Sequence, residues 1–398
     1  MRGVPRFEPF PAIRYAPDTD HLAVIAPPYD VLTAADRAAL AARSPHNIVR
    51  IDVPVDERYD QARDYLDAWR ADATLVTDLT PTFSVYRMTF TDEAGTVHAT
   101  TGVIGALELM RPGDGDVLPH ERTTPKAKSD RLQLLRATDA NTSAVWGLSL
   151  AKGLAALVEV DTNAEPLVDV VDEASVRHQL WRISAPGSMN AIAALVGSAP
   201  VVIADGHHRY DTCRTYREER RAGNGKRPGP YDLTLAFVVE LAPGQLNVEA
   251  IHRLIGGLPP GTDVAKVLAS HFELSPAGGP DASIVARMVE RGALCLVHPD
   301  GTETFLTPRA GAFAGVADLD TSRLDAALAG IPHDLVFQHG VRAIVNAVTS
   351  GQAPAGVLLR PVPVATIEAF AHRRELMPPK STFFAPKPKT GLVLRSLS

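Results

Sequence analysis

Cysteine is scarce in this sequence, and long apolar runs are absent. Cys213 and Cys295 are the only cysteines among 398 residues, which excludes a disulfide framework, and each lies in a segment where a free thiol packs as a small hydrophobe. No run reaches the roughly 18 apolar residues of a membrane-spanning helix, and residues 1–10 have no apolar signal core. We therefore expect a soluble, cytoplasmic protein without a membrane partner.

Excess positive charge is also missing. The chain carries 40 Lys and Arg against 46 Asp and Glu, and its formal net charge is −6 at pH 7. Because non-specific binding to nucleic acids depends on a basic field, DNA and RNA are not expected as partners. The sequence also lacks a Walker A motif, a Rossmann fingerprint, a Gly-x-Ser-x-Gly elbow and a His-Glu-x-x-His pair. Its chemistry must therefore come from other residue patterns.

Short elements follow one another closely, since 32 prolines and 29 glycines interrupt a chain that is 45% hydrophobic. The capping-box spacing of Thr33 and Asp36 predicts the start of a helix, and alternating apolar segments predict several hairpins. Hairpins mixed with strand–helix units favour an α+β fold with mixed sheets. The loop near 151–165 predicts a boundary between two α+β regions, 1–150 and 151–398, whose loops share one site.

The most informative segment is "VVIADGHHRYDT", residues 201–212. Its four leading apolar residues predict a buried strand, and the residues that follow show helical spacing. Gly206 at the junction lets a ligand approach the backbone closely, and the first turn of a helix presents unpaired N–H groups. Together with His207, His208 and Arg209, these donors suit an anion, most naturally phosphate.

Two alternative interpretations of this segment stay open. Asp205 is a residue type that favours helix capping, so its carboxylate could serve only to start the helix. A transition-metal site is the other alternative. Adjacent helical residues point about 100° apart, which makes His207 and His208 a poor pair of ligands for one ion.

The charged segment 118–143 brings cations and a carboxylate together. It contains His120, Glu121, Lys126 and Arg131. Alternating charges are typical of a solvated loop, but a carboxylate beside several cations is also what phosphoryl transfer needs, because the carboxylate deprotonates a hydroxyl while the cations neutralise phosphoryl oxygens. The pattern is compatible with both interpretations.

The segment "LMPPKSTFFAPKPKTGLVL", residues 376–394, has a similar character. Lys380 and Lys387 supply ammonium groups, and Ser381 and Thr382 supply hydroxyls. Prolines stiffen the backbone and so hold these side chains at a low entropic cost. The flanking phenylalanines and the closing "GLVL", a predicted strand, indicate a docked segment rather than a loose tail.

Four segments, in this order, resemble the bacterial and archaeal domain-of-unknown-function family 1015: "APPYDV", "PHERTTPKAKSDRLQLLRAT", "VVIADGHHRYDT" and "MPPKSTFFAPKPKTGLVL". The resemblance covers essentially the whole chain, although the family's Pro-Thr-His-Arg segment is only partly kept, at residues 250–253. The Asp-Gly-His-His-Arg core is also similar to the phosphate-binding strand–turn–helix of ParB/sulfiredoxin-like proteins, some of which are free-serine kinases.

This resemblance implies a kinase-like, nucleotide-dependent phosphotransferase that uses ATP or ADP with Mg²⁺. The expected partners are the nucleotide and a small hydroxyl metabolite, with free L-serine, giving O-phosphoserine, as the first choice. Two other functions stay open. One is a nucleotide- or phosphometabolite-binding regulator without turnover, and the other is a metal-dependent hydrolase built on His207, His208, His120 and Asp205.

The roles implied for individual residues fall into three groups. Asp205 or Glu121 would act as the base toward the acceptor hydroxyl, and His208 would assist catalysis. Tyr29 and Asp30, in the segment "IAPPYDV", would contact the substrate unless they form only a turn. The residues expected to bind phosphate or nucleotide are Gly206, His207, His208, Arg209, His120, Lys126, Arg131, Lys380, Ser381, Thr382 and Lys387.

Overall fold

The computed structural model describes residues 4–92, 95–111, 113, 115–121, 128–159, 164–279 and 283–398. The strands of this part of the chain are β1 (Phe7–Glu8), β2 (Ile13–Tyr15), β3 (Leu75–Thr77), β4 (Phe83–Thr91), β5 (Val97–Glu108), β6 (Val117–Pro119), β7 (Ala140–Asn141), β8 (Val145–Ser149), β9 (Val168–Val171), β10 (Arg177–Ile183), β11 (Val201–Asp205), β12 (Leu233–Glu240), β13 (Asn247–Glu249), β14 (His252–Gly256), β15 (Phe272–Gly278), β16 (Leu294–Val297), β17 (Glu303–Pro308), β18 (Asp334–Gln338), β19 (Ala355–Leu358), β20 (Phe383–Ala385) and β21 (Arg395–Ser396).

The α-helices alternate with these strands along the chain. They are α1 (His21–Val24), α2 (Ala34–Arg43), α3 (Val49–Asp52), α4 (Tyr59–Ala71), α5 (Lys128–Thr138), α6 (Leu154–Leu157), α7 (Pro186–Val196), α8 (His207–Gly223), α9 (Val264–Leu268), α10 (Ile284–Arg291), α11 (Asp320–Leu328), α12 (Val341–Thr349) and α13 (Val364–Arg373). No helix in the described ranges combines the length and apolar character of a membrane span.

The largest sheet has nine strands and mixed directions. Its order is β6-β11-β8-β12-β5-β4-β10-β9, with β1 paired to β5. The pairs β6–β11 and β8–β12 are parallel, and the other pairs are antiparallel. The predicted α+β class with mixed sheets is therefore confirmed.

Strand β11 owes its apolar sequence to burial on both faces. Val202 and Ala204 belong to the hydrophobic core on one face of the sheet, whereas Val201 and Ile203 belong to the core on the other. A strand covered on both faces has no need of alternating polar residues. This explains why the apolar run that precedes Asp205 is continuous.

The pairing of β11 with β6 determines which loops meet. The two strands run parallel, with Ile203 opposite Pro119. Because parallel strands end at the same edge of a sheet, the chain leaves both strands side by side. His120 and Glu121, which follow β6, therefore lie beside the turn that follows β11.

A second, antiparallel sheet has six strands in the order β15-β17-β16-β19-β14-β18. It too has a core on each face, since Leu294 and Leu296 of β16 belong to one cluster and Cys295 and Val297 to another. The segment 376–394 packs beside the larger sheet. Its strand β20 forms a separate two-stranded sheet with β13, and Phe384 joins a core that covers one face of the larger sheet. The segment predicted to be docked is thus packed against the fold.

One predicted strand is wrong. The sequence "GLVL" at 391–394 forms no regular strand, and only Leu394 makes an isolated bridge, to Ile13. Gly391 has a φ of +95°, which an extended strand does not allow. The short strand β21 begins one residue later, at Arg395.

The predicted division at 150/151 stays a prediction. Strands on both sides of it, from β1 to β12, contribute to the nine-stranded sheet. All six strands of the second sheet lie within 272–358 and 252–256.

The predicted cap of α2 is present and can be tested. The Thr33 hydroxyl accepts a hydrogen bond from the N–H of Asp36 at 3.1 Å, and the Asp36 carboxylate accepts one from the N–H of Thr33 at 3.0 Å. We expect Thr33→Ala to lower the free energy of unfolding by about 0.5–2 kcal/mol. Urea unfolding measures this change, and Thr33→Ser, which keeps the hydroxyl, is the matched control. Equal stability of the two variants would contradict the capping role of this exposed side chain.

Candidate functional site

The candidate site is the turn between β11 and α8, for which the sequence predicts anion binding. Gly206 occupies the N-cap position of α8 with a φ of +86°, in the left-handed region that favours glycine. A Cβ atom at this position would lie 2.9 Å from Nε of Arg209. No side chain in the described ranges caps the helix, so the N–H groups of its first turn have no side-chain acceptor there.

Asp205 does not act as a helix cap but as an ion-pair partner. Its carboxylate lies 2.5 Å from Nη2 of Arg209 and 2.5 Å from Nζ of Lys387. Burial opposes ionisation of Asp205, yet these two cations outweigh it and lower the pKa to about 2. The capping interpretation is therefore wrong.

Lys387 reaches the turn from the C-terminal segment. Besides Asp205, it faces the Asp30 carboxylate at 3.5 Å and lies 5.6 Å from the centre of the Phe383 ring. Asp30 belongs to the 3₁₀ turn Tyr29–Val31. The structure thus brings together residues from the "PPYD", "DGHHR" and "PKPK" segments.

His120 lies beside the turn with both ring nitrogens engaged. Nδ1 donates to the carbonyl of Ile203 at 2.6 Å, and Nε2 accepts from the hydroxyl of Thr382 at 2.8 Å. Burial lowers the pKa of His120 to about 4, so the imidazole is neutral at pH 7. Because neither nitrogen is free, His120 anchors the segment that carries Thr382.

Glu121 is a partly buried carboxyl whose Oε2 atom meets no hydrogen-bond partner among the described residues. Its Oε2 atom is buried without a hydrogen-bond partner in the described part of the chain and lies 3.7 Å from Nε2 of His120. Burial raises the pKa of Glu121 to about 7, although the charge of Lys380 and the backbone N–H groups of Lys380 and Ser381 act in the opposite direction. A carboxyl with this pKa exchanges protons near neutral pH.

His207 and His208 start helix α8, and both present unused nitrogens. Nε2 of His207 and Nδ1 of His208 are buried without hydrogen-bond partners among the described residues. The His207 ring centre lies 5.0 Å from that of His120, and burial, together with the neighbouring His120, lowers the pKa of His207 to about 3. Such unpaired polar atoms are the ones that a bound ligand satisfies.

Arg131 is placed close to Tyr29 but is already paired. Its guanidinium lies 4.3 Å from the centre of the Tyr29 ring. It donates to the backbone carbonyl of Asp52 at 2.6 Å and pairs with the Asp130 carboxylate at 2.7 Å. Its charge is therefore largely shared with protein groups.

The remaining predicted residues differ in how freely they can meet a ligand. The Ser381 hydroxyl donates to the carbonyl of Pro378 at 2.7 Å. Lys380 is exposed, has a φ of +59° and forms no ion pair with the residues that the structure describes. Arg209 donates to the carbonyl of Ala144 as well as to Asp205. Lys126 lies outside the described residues.

One buried polar cluster beside the site was missed. Lys389 pairs with the Asp172 carboxylate at 2.6 Å, and Asp172 lies 3.1 Å from Nε2 of His178. The other ring nitrogen of His178 lies 2.7 Å from the hydroxyl of Tyr86. These contacts fix the segment that carries Lys387. Lys389 was recognisable as part of a basic segment, but nothing in the sequence links it to Asp172.

The described residues contain no group of three or more His, Cys, Asp and Glu side chains placed to hold a metal ion. His120 is fully engaged with protein atoms, and Asp205 is held by two cations. The four residues suggested for a hydrolytic metal centre therefore do not form one.

The fold and the site define an α+β protein with a mixed nine-stranded sheet and a polar centre at the strand–glycine–helix turn. The chain belongs to the family described as "Protein of unknown function (DUF1015)", whose model matches residues 7–326. The match ends before the segment that carries Lys380 and Lys387. The comparison with curated proteins finds no match.

Several solved structures show a distant likeness. A conserved hypothetical protein from Pyrococcus furiosus is 12% identical with a TM-score of 0.35, over 70% of this chain and 90% of that chain. A free serine kinase in complex with AMP is 11% identical with a TM-score of 0.35, over 70% and 89%. C-terminally truncated SbnI from Staphylococcus aureus is 14% identical with a TM-score of 0.37, over 72% and 85%.

Proposed function

We propose that the protein is a nucleotide-dependent phosphotransferase that acts on a small hydroxyl metabolite. The observation that carries the proposal is the partly buried Glu121 carboxyl, which has a pKa of about 7 and an oxygen without a hydrogen-bond partner among the described residues. It lies 3.7 Å from His120, whose ring centre is 5.0 Å from that of His207 at the start of α8. A purely anion-binding site has no use for such a group, whereas the transfer of a phosphoryl group to a hydroxyl needs a proton acceptor. Free L-serine is the first candidate acceptor, on the basis of the sequence resemblance.

The nucleotide phosphates would bind at the start of α8. The N–H groups of the first turn and the unpartnered nitrogens of His207 and His208 are suitable donors. Arg209 would act less as a ligand than as the residue that holds Asp205 at the turn, because its guanidinium is already engaged. Lys387 and Lys380 would neutralise the charge that develops on the transferred group.

Glu121 is a better proton acceptor than Asp205. The pKa of Asp205 lies at about 2 because two cations hold its carboxylate, which leaves little affinity for a proton at neutral pH. In the proposed reaction the acceptor oxygen forms a bond to the terminal phosphorus, and the bond from that phosphorus to the nucleotide oxygen breaks. The hydroxyl proton passes to Glu121, and the shortened nucleotide leaves.

Mg²⁺ would enter with the nucleotide. Magnesium is usually bound by substrate phosphates, water and one or two carboxylates rather than by an all-protein cage. Asp30 fits such a role, since its carboxylate is 36% exposed and only 3.5 Å from Lys387. When bound, the ion would neutralise phosphate oxygens.

The test is a search for a phosphorylated product. The protein is incubated with ATP or ADP, Mg²⁺, and L-serine or a panel of small hydroxyl metabolites, and products are followed by ³¹P NMR and mass spectrometry. We expect product from at least one acceptor. Nucleotide binding without product from any acceptor would contradict turnover and leave a binding protein.

The phosphate contact is tested by His208→Ala. If His208 donates to a phosphate oxygen, its loss removes a charge-assisted hydrogen bond worth about 1.5–3 kcal/mol, and the KM for nucleotide rises roughly 10- to 100-fold. His298→Ala, in the turn between β16 and β17, is the matched control. Equal KM values for the two variants would show that His208 does not contact the nucleotide.

A further inference from the structure

Arg253 is a buried cation that forms no ion pair with any described residue. It lies on β14 of the six-stranded sheet and is 2% exposed. Asp325 and then Glu121 attract it electrostatically, but neither of these carboxylates forms an ion pair with it. Its Nη1 donates to the carbonyl of Ile251 at 2.6 Å, and its guanidinium lies 4.6 Å from the Phe337 ring centre. Burying an unpaired charge costs free energy, and this cost needs a structural or functional explanation.

The second bond of Arg253 points to the candidate site. Nη2 donates to the carbonyl of Lys380 at 2.9 Å. That carbonyl belongs to the same peptide group as the N–H of Ser381, which stabilises the Glu121 carboxylate and acts to lower its pKa. A parallel bridge between Glu121 and Met377 places the start of this segment beside Glu121. A cation on the carbonyl of a peptide group polarises the group and strengthens the hydrogen bond that its N–H donates.

Charged and titratable groups surround Glu121, and the 380–381 peptide connects it to Arg253 on the second sheet. His120, after β6, is neutral and lies 3.7 Å away, and Asp205, after β11, disfavours a second negative charge. Lys380 favours the carboxylate through its charge. Arg253 and Glu121 attract each other electrostatically without forming an ion pair.

We propose that Arg253 is a positioning residue that holds the 380–381 peptide against Glu121 and so prepares this carboxylate to accept a proton. This role rests on the proposed function, with Glu121 as the base. The six-stranded sheet thereby contributes to the reaction through one hydrogen-bonded peptide, although Arg253 touches no substrate. Among the described residues the Arg253 guanidinium has no ion-pair partner, and the carbonyls of Ile251 and Lys380 accept its hydrogen bonds.

The expected consequence is a shift in the titration of Glu121. Without Arg253 the carboxylate form is less stabilised, so the pKa of Glu121 rises above its wild-type value of about 7. We expect a rise of about half to one pH unit. The rate at pH 7 should then fall roughly two- to fivefold in Arg253→Met and recover at pH 9, while the KM for nucleotide stays unchanged.

The chain offers a closely matched control. Arg395 is also buried, at 5% exposed, donates to two backbone carbonyls, those of Leu233 and Pro230, and lies over an aromatic ring, that of Phe10. Arg395→Met therefore removes a similar guanidinium away from Glu121. Arg253→Lys keeps the charge and should show a smaller shift than Arg253→Met.

The titration is measured by infrared spectroscopy of the Glu121 carboxyl, as the difference between each protein and its Glu121→Gln counterpart, alongside the pH–rate profile. An unchanged midpoint in a folded Arg253→Met, or the same shift in Arg395→Met, would overturn the proposal. If Arg253→Met does not fold, Arg253→Gln, which keeps a donor but no charge, takes its place. A shifted midpoint without any phosphorylated product would support the role of Arg253 in setting the pKa of Glu121 and would reject the phosphotransferase. Phosphorylated product together with an unshifted midpoint would support the phosphotransferase and reject the role of Arg253.

Discussion

Glu121→Gln is expected to lower the rate of phosphoryl transfer by about 10²- to 10⁴-fold, the usual contribution of a general base. The wild-type carboxyl is partly buried, has an oxygen without a hydrogen-bond partner among the described residues and has a pKa of about 7. Glutamine has the same shape but cannot accept the hydroxyl proton. The rate of product formation at saturating nucleotide and acceptor, followed by ³¹P NMR, measures the loss.

The pH dependence gives this prediction a second readout. Because the raised pKa keeps Glu121 protonated in more acidic solution, the wild-type rate should increase with pH and level off above about 7. The residual rate of Glu121→Gln should lack this limb. Glu290→Gln, on the exposed surface of α10, is the matched control and should behave as the wild type. An unchanged rate in Glu121→Gln, or the same fall of the rate in acidic solution, would show that Glu121 is not the general base.

Asp205→Asn is expected to reduce the free energy of unfolding by about 3–5 kcal/mol at pH 7, since removing one partner of a buried ion pair leaves an uncompensated charge. Here two cations, Arg209 and Lys387, would lose their partner. The pKa of Asp205 is depressed to about 2, so its contribution to stability is present above the ordinary carboxyl pKa and is lost as the pH falls through about 2. Urea unfolding measures the difference.

The matched control is an exposed ion pair. Asp169 lies 2.6 Å from Arg177 with both side chains partly exposed, and Asp169→Asn should change stability by no more than about 1 kcal/mol. A double-mutant cycle adds a further check: Lys387→Met should be less harmful in the Asp205→Asn background than in the wild type. Equal losses for Asp205→Asn and Asp169→Asn would contradict the ion-pair interpretation of the turn.

The strand–turn–helix at the centre of the site was predictable because its signals are local. Four apolar residues, a glycine and a helical pattern lie within residues 201–212, and no distant contact is needed to interpret them. The capping role of Asp205 was a reasonable local alternative. It fails because the partner that draws the carboxylate away, Lys387, lies far along the chain.

The partners of the other predicted residues could not be inferred from the sequence. His120 meets the carbonyl of Ile203 only because β6 pairs with β11 in parallel, and sequence spacing does not determine strand pairing. Arg131 is of a residue type that commonly binds phosphate, but its Nη1 already donates a hydrogen bond to the carbonyl of Asp52. Arg253 sits in an apolar run that favours a core position, and its bond to Lys380 depends on how the C-terminal segment docks.

The late position of that segment along the chain has a consequence for synthesis. Residues 377–389, which supply Thr382 and Lys387, follow β12 and β19, the last strands of the nine-stranded and six-stranded sheets. During translation, all the strands of these two sheets therefore emerge from the ribosome before the residues that pair with Asp205 and His120. Until then the nascent polypeptide would hold Asp205 without Lys387 and His120 without Thr382, so these contacts would form only after both sheets have been synthesised.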